Sequence, residues 1–128
     1  TLPGYKNSMK KYIVVTGGAG FVGSHLIELL LSKTKKNIIS LDNYSSGLKK
    51  NQIKSTRVKY LRGNTSEIEK ILSNYKIKIH SLFHFGEFSR IFQSFKNFDQ
   101  CFKSNSFGTQ AVFKFCLDNE IKLIYSAT

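Results

Sequence analysis

The stretch Thr16-Gly17-Gly18-Ala19-Gly20-Phe21-Val22-Gly23 joins a short β-branched run, Tyr12 to Thr16 (YIVVT), to an apolar run, Phe21 to Leu31 (FVGSHLIELLL). Both G-x-G-x-x-G (Gly18, Gly20, Gly23) and G-x-x-G-x-x-G (Gly17, Gly20, Gly23) can be read from it. Glycines alone say little, but these stand between a predicted buried strand and a predicted buried helix, the context that gives the pattern meaning. In that setting Gly17 permits a tight turn off the strand, Gly20 has no Cβ to hold a diphosphate away, and Gly23 lets the helix lie close to the sheet. Main-chain amides at the helix start, on Phe21 and Val22 as well as the glycines, then face a negative group with the helix dipole behind them. No Gly-Lys-Ser/Thr follows the glycines, which excludes a mononucleotide-type phosphate loop.

Working outward, Asn37 to Leu41 is a second short apolar run closed by Asp42-Asn43, and Val58 to Leu61 is a third. Thr65 to Tyr75 carries Ile68, Ile71 and Leu72 at helical spacing, with Ser66 placed to cap ahead of Glu69. Ile79 to Phe85 (IHSLFHF) reads as a strand ending at Gly86, Asn97 to Asn119 as a long helix, and Leu123 to Ala127 as a fifth strand. Strands alternating with helical segments predict an α/β, Rossmann-type doubly wound parallel sheet of about five strands with helices on both faces. Asp42 ends the second strand nineteen residues after Gly23, where a carboxylate can accept hydrogen bonds from the ribose hydroxyls of an adenosine half. A 2′-phosphate there would meet like charge, so NAD is expected rather than NADP.

Composition bounds the rest. With 128 residues, 41% of them hydrophobic, one domain with a real core is expected over residues 11–128, behind a disordered or non-native tail at 1–10. Twenty Lys and Arg against eight Asp and Glu give a net charge of +12, which raises a polyanion partner. The lysines are spread over predicted helix ends and loops, without interleaved aromatics, so nucleic acid is not expected. Cys101 and Cys116 lack the close spacing of a metal or redox motif and read as buried thiols; His80 and His84 share a strand without a third ligand nearby, so no metal is expected. No run is long and apolar enough to span a membrane, and a cytoplasmic protein is expected.

Six motifs occur in a telling order: TGGAGFVGSHL (Thr16 to Leu26), LDNYSSG (Leu41 to Gly47), YLRGN (Tyr60 to Asn64), LFHFGEFSR (Leu82 to Arg90), NSFGT (Asn105 to Thr109) and LIYSAT (Leu123 to Thr128). Together they resemble the N-terminal half of extended short-chain dehydrogenase/reductases, most closely the NAD-dependent epimerase/dehydratases that act on nucleotide sugars, such as UDP-glucose 4-epimerases. The resemblance implies cofactor contacts from Gly17, Gly20, Phe21, Val22, Gly23, Asp42, Asn43, Asn64, Phe85, Gly86 and Asn105. It departs from the family at Asn64, where an acidic residue usually meets the adenine amino group, and at Glu87, where a small residue is usual. Glu87, Ser89 and Arg90 would therefore bear on substrate choice.

By the same resemblance Thr128 is the catalytic helper that hydrogen-bonds the reacting sugar hydroxyl, with Ser126 in its place if the register slips by two. The family's base is a tyrosine with a lysine four positions on, the lysine lowering the tyrosine pKa. None of Tyr5, Tyr12, Tyr44, Tyr60, Tyr75 and Tyr125 has that lysine within the chain. The expectation is a NAD-binding part of a nucleotide-sugar epimerase or dehydratase that by itself binds NAD without turnover. The alternative is a non-catalytic module that senses NAD(H) or acts as a scaffold. The resemblance also allows a homodimer formed through helices.

Overall fold

A computed structural model describes residues 10–43, 49–85 and 98–126, with side chains from Gly108 to Tyr125 in the last stretch. Five strands form one sheet in the order β3-β2-β1-β4-β5: β1 (Tyr12–Thr16), β2 (Asn37–Asp42), β3 (Val58–Arg62), β4 (Ile79–Phe85) and β5 (Lys122–Ser126). Every neighbouring pair is parallel. β1 and β2 lie inside the sheet and are covered on both faces, which is why their sequences are nearly continuous apolar runs rather than alternating ones. β3 is an edge, and its exposed Lys59 and Arg62 suit an edge that must not pair further.

Two helical layers sandwich the sheet. On one face α1 (Phe21–Lys33) covers Ile13, Val15 and Ile38 with Ile27. On the other, Val112, Phe115 and Cys116 of α3 (Phe98–Asp118) join Ile68 and Leu72 over Val14, Ile39, Leu41 and Leu82. Full burial of each such aliphatic side chain contributes about 1.5–3 kcal/mol before entropy is counted. Cys116 is a buried free thiol, and burial pushes its pKa up to about 11, so it behaves as a small apolar residue. The side chain of Cys101 lies outside the described residues.

Two segments differ from the pattern read in the sequence. α1 is not enclosed: Phe21, Val22 and Leu29 point outward, and its burial is concentrated at Gly23 and Ile27, one turn apart. Residues 65–78 do not form one helix. A 3₁₀ turn at Thr65–Glu67 leads into a single α turn, α2 (Ile68–Ile71), and a second 3₁₀ turn at Lys76–Lys78 precedes β4. The Ser66 cap does not form: the α turn starts one residue later, with Glu67 at its N-cap and no side-chain cap, after a 3₁₀ turn closed by the Glu67 amide on Asn64 O; Ser73 and Asn74 are poor at continuing a helix. Ile68 and Leu72 still reach the core, so burial at two positions is kept while helical length is lost.

The C-terminus of α1 is tied down by a residue remote in sequence. Arg57, just ahead of β3, donates through Nη1 to Thr34 O at 2.9 Å and Lys36 O at 3.2 Å, and through Nη2 to Leu31 O. A guanidinium over orphan carbonyls and the negative end of the dipole fixes where α1 stops and β2 begins.

Candidate functional site

In this strand order the connections leave β1 in opposite directions, to β2 through α1 and later to β4 on its other side. The crevice beyond the carboxyl ends of β1 and β4 is therefore the topological switch point, where open α/β sheets bind ligands. The glycine turn stands there.

Gly17 has φ +73, a left-handed conformation that the turn requires and that L side chains rarely adopt. Its amide donates to Leu41 O at 2.8 Å, and its carbonyl accepts the Gly20 amide at 3.0 Å, which closes the turn. A Cβ on Gly18 would lie 2.0 Å from Ser40 Oγ and 2.9 Å from Ile27 Cδ1, so this glycine lets the turn lie on β2 and α1. A Cβ on Gly23 would lie 2.2 Å from Gly17 O and 2.8 Å from Gly18 Cα. Gly23 thus permits the first turn of α1 to close on the glycine turn itself, rather than on the sheet as the sequence reading had it. Both glycine patterns are consequently needed, Gly17 for conformation and Gly18 for packing.

Gly20 differs from the other three. A Cβ there would touch only Gly17 O, at 3.3 Å, and otherwise face open space. Beside it the amides of Phe21, Val22 and Gly23 find no partner among the described residues, and the first turn carries neither an acidic residue nor a side-chain cap. An open cradle, unpaired donors and the positive end of a 13-residue helix fit a diphosphate.

The carboxylate of Asp42, 8% exposed at the end of β2, accepts the Ala19 amide through Oδ2 at 3.0 Å. It is aimed at the turn, not away from it. Asn43 Nδ2 donates to Asn64 Oδ1 at 3.0 Å, bringing the ends of β2 and β3 together on the side where an adenosine would lie. Asn51, which sequence reasoning passed over, donates from Nδ2 to Ala19 O at 3.0 Å and holds the turn from the other side. Ser40 Oγ lies beneath Gly18, buried and without a hydrogen-bond partner among the described residues.

On the β4 side, Phe85 N donates to Thr16 Oγ1 at 3.2 Å, and Phe85 O lies 3.2 Å from where a Gly17 Cβ would stand. His84 is 1% exposed, with Nδ1 2.7 Å from Thr16 Oγ1 and Nε2 3.2 Å from Thr109 Oγ1. Burial lowers its pKa to about 4, so the ring is neutral at ordinary pH. At the far end of the sheet burial, then Lys36, Lys10 and Lys122, lower the pKa of His80, placing part of the basic charge opposite the glycine turn.

Asn105 lies in α3, with its side chain outside the described residues. Gly86, Glu87, Ser89, Arg90 and Thr128 also lie outside them. Ser126 pairs in register with Phe85, so the end of β5 runs beside the end of β4.

A parallel sheet ordered 3-2-1-4-5, with a glycine turn at its switch point and a carboxylate closing β2, defines a Rossmann-type domain of the dinucleotide-binding class. The model of the NAD dependent epimerase/dehydratase family matches residues 13–128, and the chain belongs to that family. The dTDP-D-glucose 4,6-dehydratase of Dictyostelium discoideum is 34% identical over 124 residues, covering 91% of this chain and 28% of that protein. Among solved structures, the UDP-glucose 4-epimerase of Thermotoga maritima with UDP-glucose gives a TM-score of 0.79 at 25% identity, over 91% of this chain and 38% of that one. The dTDP-glucose 4,6-dehydratase of Bacillus anthracis, in complex with NAD, gives 0.72 at 25% identity, over 89% of this chain and 36% of that one. This chain thus spans 28% to 38% of the length of these relatives. No helix among the described residues is long and apolar enough to cross a membrane.

Proposed function

We propose that this chain is the NAD-binding portion of a nucleotide-sugar epimerase or dehydratase. The observation that carries the reading is the pairing of first-turn amides on Phe21, Val22 and Gly23, without partners among the described residues, with the Asp42 carboxylate, which fastens the same turn through Ala19. The amides hold the diphosphate. Asp42 stands at the end of β2 with a carboxylate, a group that accepts hydrogen bonds at several lone-pair sites and so suits ribose hydroxyls. Asn43 and Asn64 then border the adenosine half, while Phe85, Gly86 and Asn105 border the nicotinamide half.

When bound, NAD would supply hydride transfer at a sugar carbon, the chemistry of the family. Thr128 holds the sugar hydroxyl that reacts. The tyrosine and lysine implied by the family resemblance do not occur as a spaced pair in residues 1–128, and the role proposed for these residues is binding of NAD. Calorimetric titration of the folded chain with NAD and with NADP tests the reading. Binding of NAD in preference to NADP is expected; absence of heat with either at about millimolar concentration, where even a weak site of about 4 kcal/mol would register, contradicts it.

A further inference from the structure

The glycine turn is fastened to both strands that flank β1, and by different means. Toward β2 the Gly17 amide meets Leu41 O at 2.8 Å and the Ala19 amide meets Asp42 at 3.0 Å. Toward β4 the side-chain fastening passes through Thr16, the last residue of β1, whose hydroxyl lies between the Phe85 amide and His84. His84 in turn reaches Thr109 on α3, one helical turn beyond Asn105.

Counting protons gives this chain of bonds a direction. The Phe85 amide can only donate, so Thr16 Oγ1 accepts from it. The hydroxyl has one proton of its own, and His84 Nδ1, at 2.7 Å, is the acceptor within reach among the described residues. Nδ1 is then unprotonated, and the neutral ring carries its proton on Nε2 and donates to Thr109 Oγ1 at 3.2 Å. An imidazolium would donate from both nitrogens and leave the Thr16 proton without an acceptor. Tyr125 stacks on the ring, with centroids 5.6 Å apart and planes 16° from parallel, and restrains its tilt.

We propose that His84 is a positioning residue for the dinucleotide: a neutral imidazole, protonated on Nε2, that ties the end of β1 to α3 and so fixes the glycine turn relative to the helix of Asn105. The proposal rests on the reading of this turn as the NAD site. His84 acts through Thr16, without touching the ligand. Thr109→Val removes the far acceptor with little change of shape, and Thr109→Ser retains it.

The test combines calorimetric NAD titration and thermal melting of the 128-residue chain and both variants with ¹⁵N NMR of the His84 ring in the unaltered chain. NAD affinity is expected to fall roughly three- to ten-fold in Thr109→Val, the range for one lost hydrogen bond, and to stay within about two-fold in Thr109→Ser. The ring spectrum is expected to show a protonated Nε2 and a bare Nδ1. A Thr109→Val protein that melts lower but binds NAD as before overturns the proposal in favour of a merely structural bond, and a proton on Nδ1 overturns it as well. Failure of the unaltered chain to bind NAD defeats this proposal together with the NAD reading, whereas binding that is indifferent to Thr109 defeats this proposal alone.

Discussion

Gly20→Ala separates a turn shaped for a ligand from a turn shaped only for the fold. Gly20 has φ −79 and ψ 173 at the N-cap of α1, a conformation open to any residue. The new Cβ would meet Gly17 O at 3.3 Å, just inside ordinary contact, and nothing else within 4 Å. Reduced freedom of the unfolded chain stabilises such a substitution by about 0.4–1 kcal/mol, and the tight contact offsets a similar amount. Stability should therefore change by less than about 1 kcal/mol, or roughly 5 °C in Tm. The same Cβ occupies the space from which a diphosphate reaches Phe21, Val22 and Gly23. Loss of one charge-assisted hydrogen bond, about 1.5–3 kcal/mol, weakens NAD binding by roughly 10- to 100-fold. Gly23→Ala is the contrast, because its Cβ would lie 2.2 Å from backbone Gly17 O and must gain 1.2 Å to reach a 3.4 Å contact (3.4 − 2.2). Overpacking against backbone costs about 1–3 kcal/mol, so this variant should lose stability and NAD binding together. Scanning calorimetry paired with NAD titration reads both quantities. A Gly20→Ala protein of normal stability that binds NAD as tightly as the unaltered chain would show that no diphosphate sits against Gly20.

Three further outcomes are expected. Asp42→Asn keeps an acceptor for the Ala19 amide but removes the charge that repels a 2′-phosphate, so the preference for NAD over NADP should narrow by roughly ten-fold; parallel titrations in which the ratio stays fixed would remove Asp42 from the specificity argument. Arg57→Ala leaves the carbonyls of Leu31, Thr34 and Lys36 without their donor and should cost about 2 kcal/mol in urea unfolding, with NAD affinity unchanged because the cap lies at the opposite end of α1 from the glycine turn. His84 has a folded pKa of about 4 against an ordinary 6.5, so the unfolded chain binds the extra proton between those values. Its contribution is complete above pH 6.5 and declines by about 3 kcal/mol as pH falls to 4; denaturant melts across that window should show the slope, and His84→Gln should abolish it.

The parts of the molecule visible in the sequence are those fixed by local pattern. YIVVT and IHSLFHF are short and apolar because parallel strands are covered on both faces, and the glycine spacing marks a strand-to-helix turn that few other residues could make. Asp42 was legible for the same reason, as a carboxylate closing the strand after the glycines. What escaped depends on partners far away in the chain. Asn51 and Ala19 are 32 residues apart, Thr16 and His84 are 68 apart, and nothing local to a strand histidine distinguishes a buried hydrogen-bonding hub from a surface ring. The helical period at 65–75 misled because Ile68 and Leu72 supply enough burial in one turn for the flanking residues to leave the helix. In α1 the apolar run exceeded what one face can bury, so Phe21, Val22 and Leu29 stand exposed although the sequence reads as enclosed.

A ¹H–¹⁵N NMR titration of this chain with NAD reports on the glycine-turn amides themselves. The largest shifts should fall on Gly18 to Gly23 at the start of α1, with smaller ones at Asp42 and Asn43. Shifts confined to the basic end of the sheet around Lys10, Lys36 and Lys122, with the glycine-turn amides unmoved at saturating NAD, would contradict NAD binding at this turn.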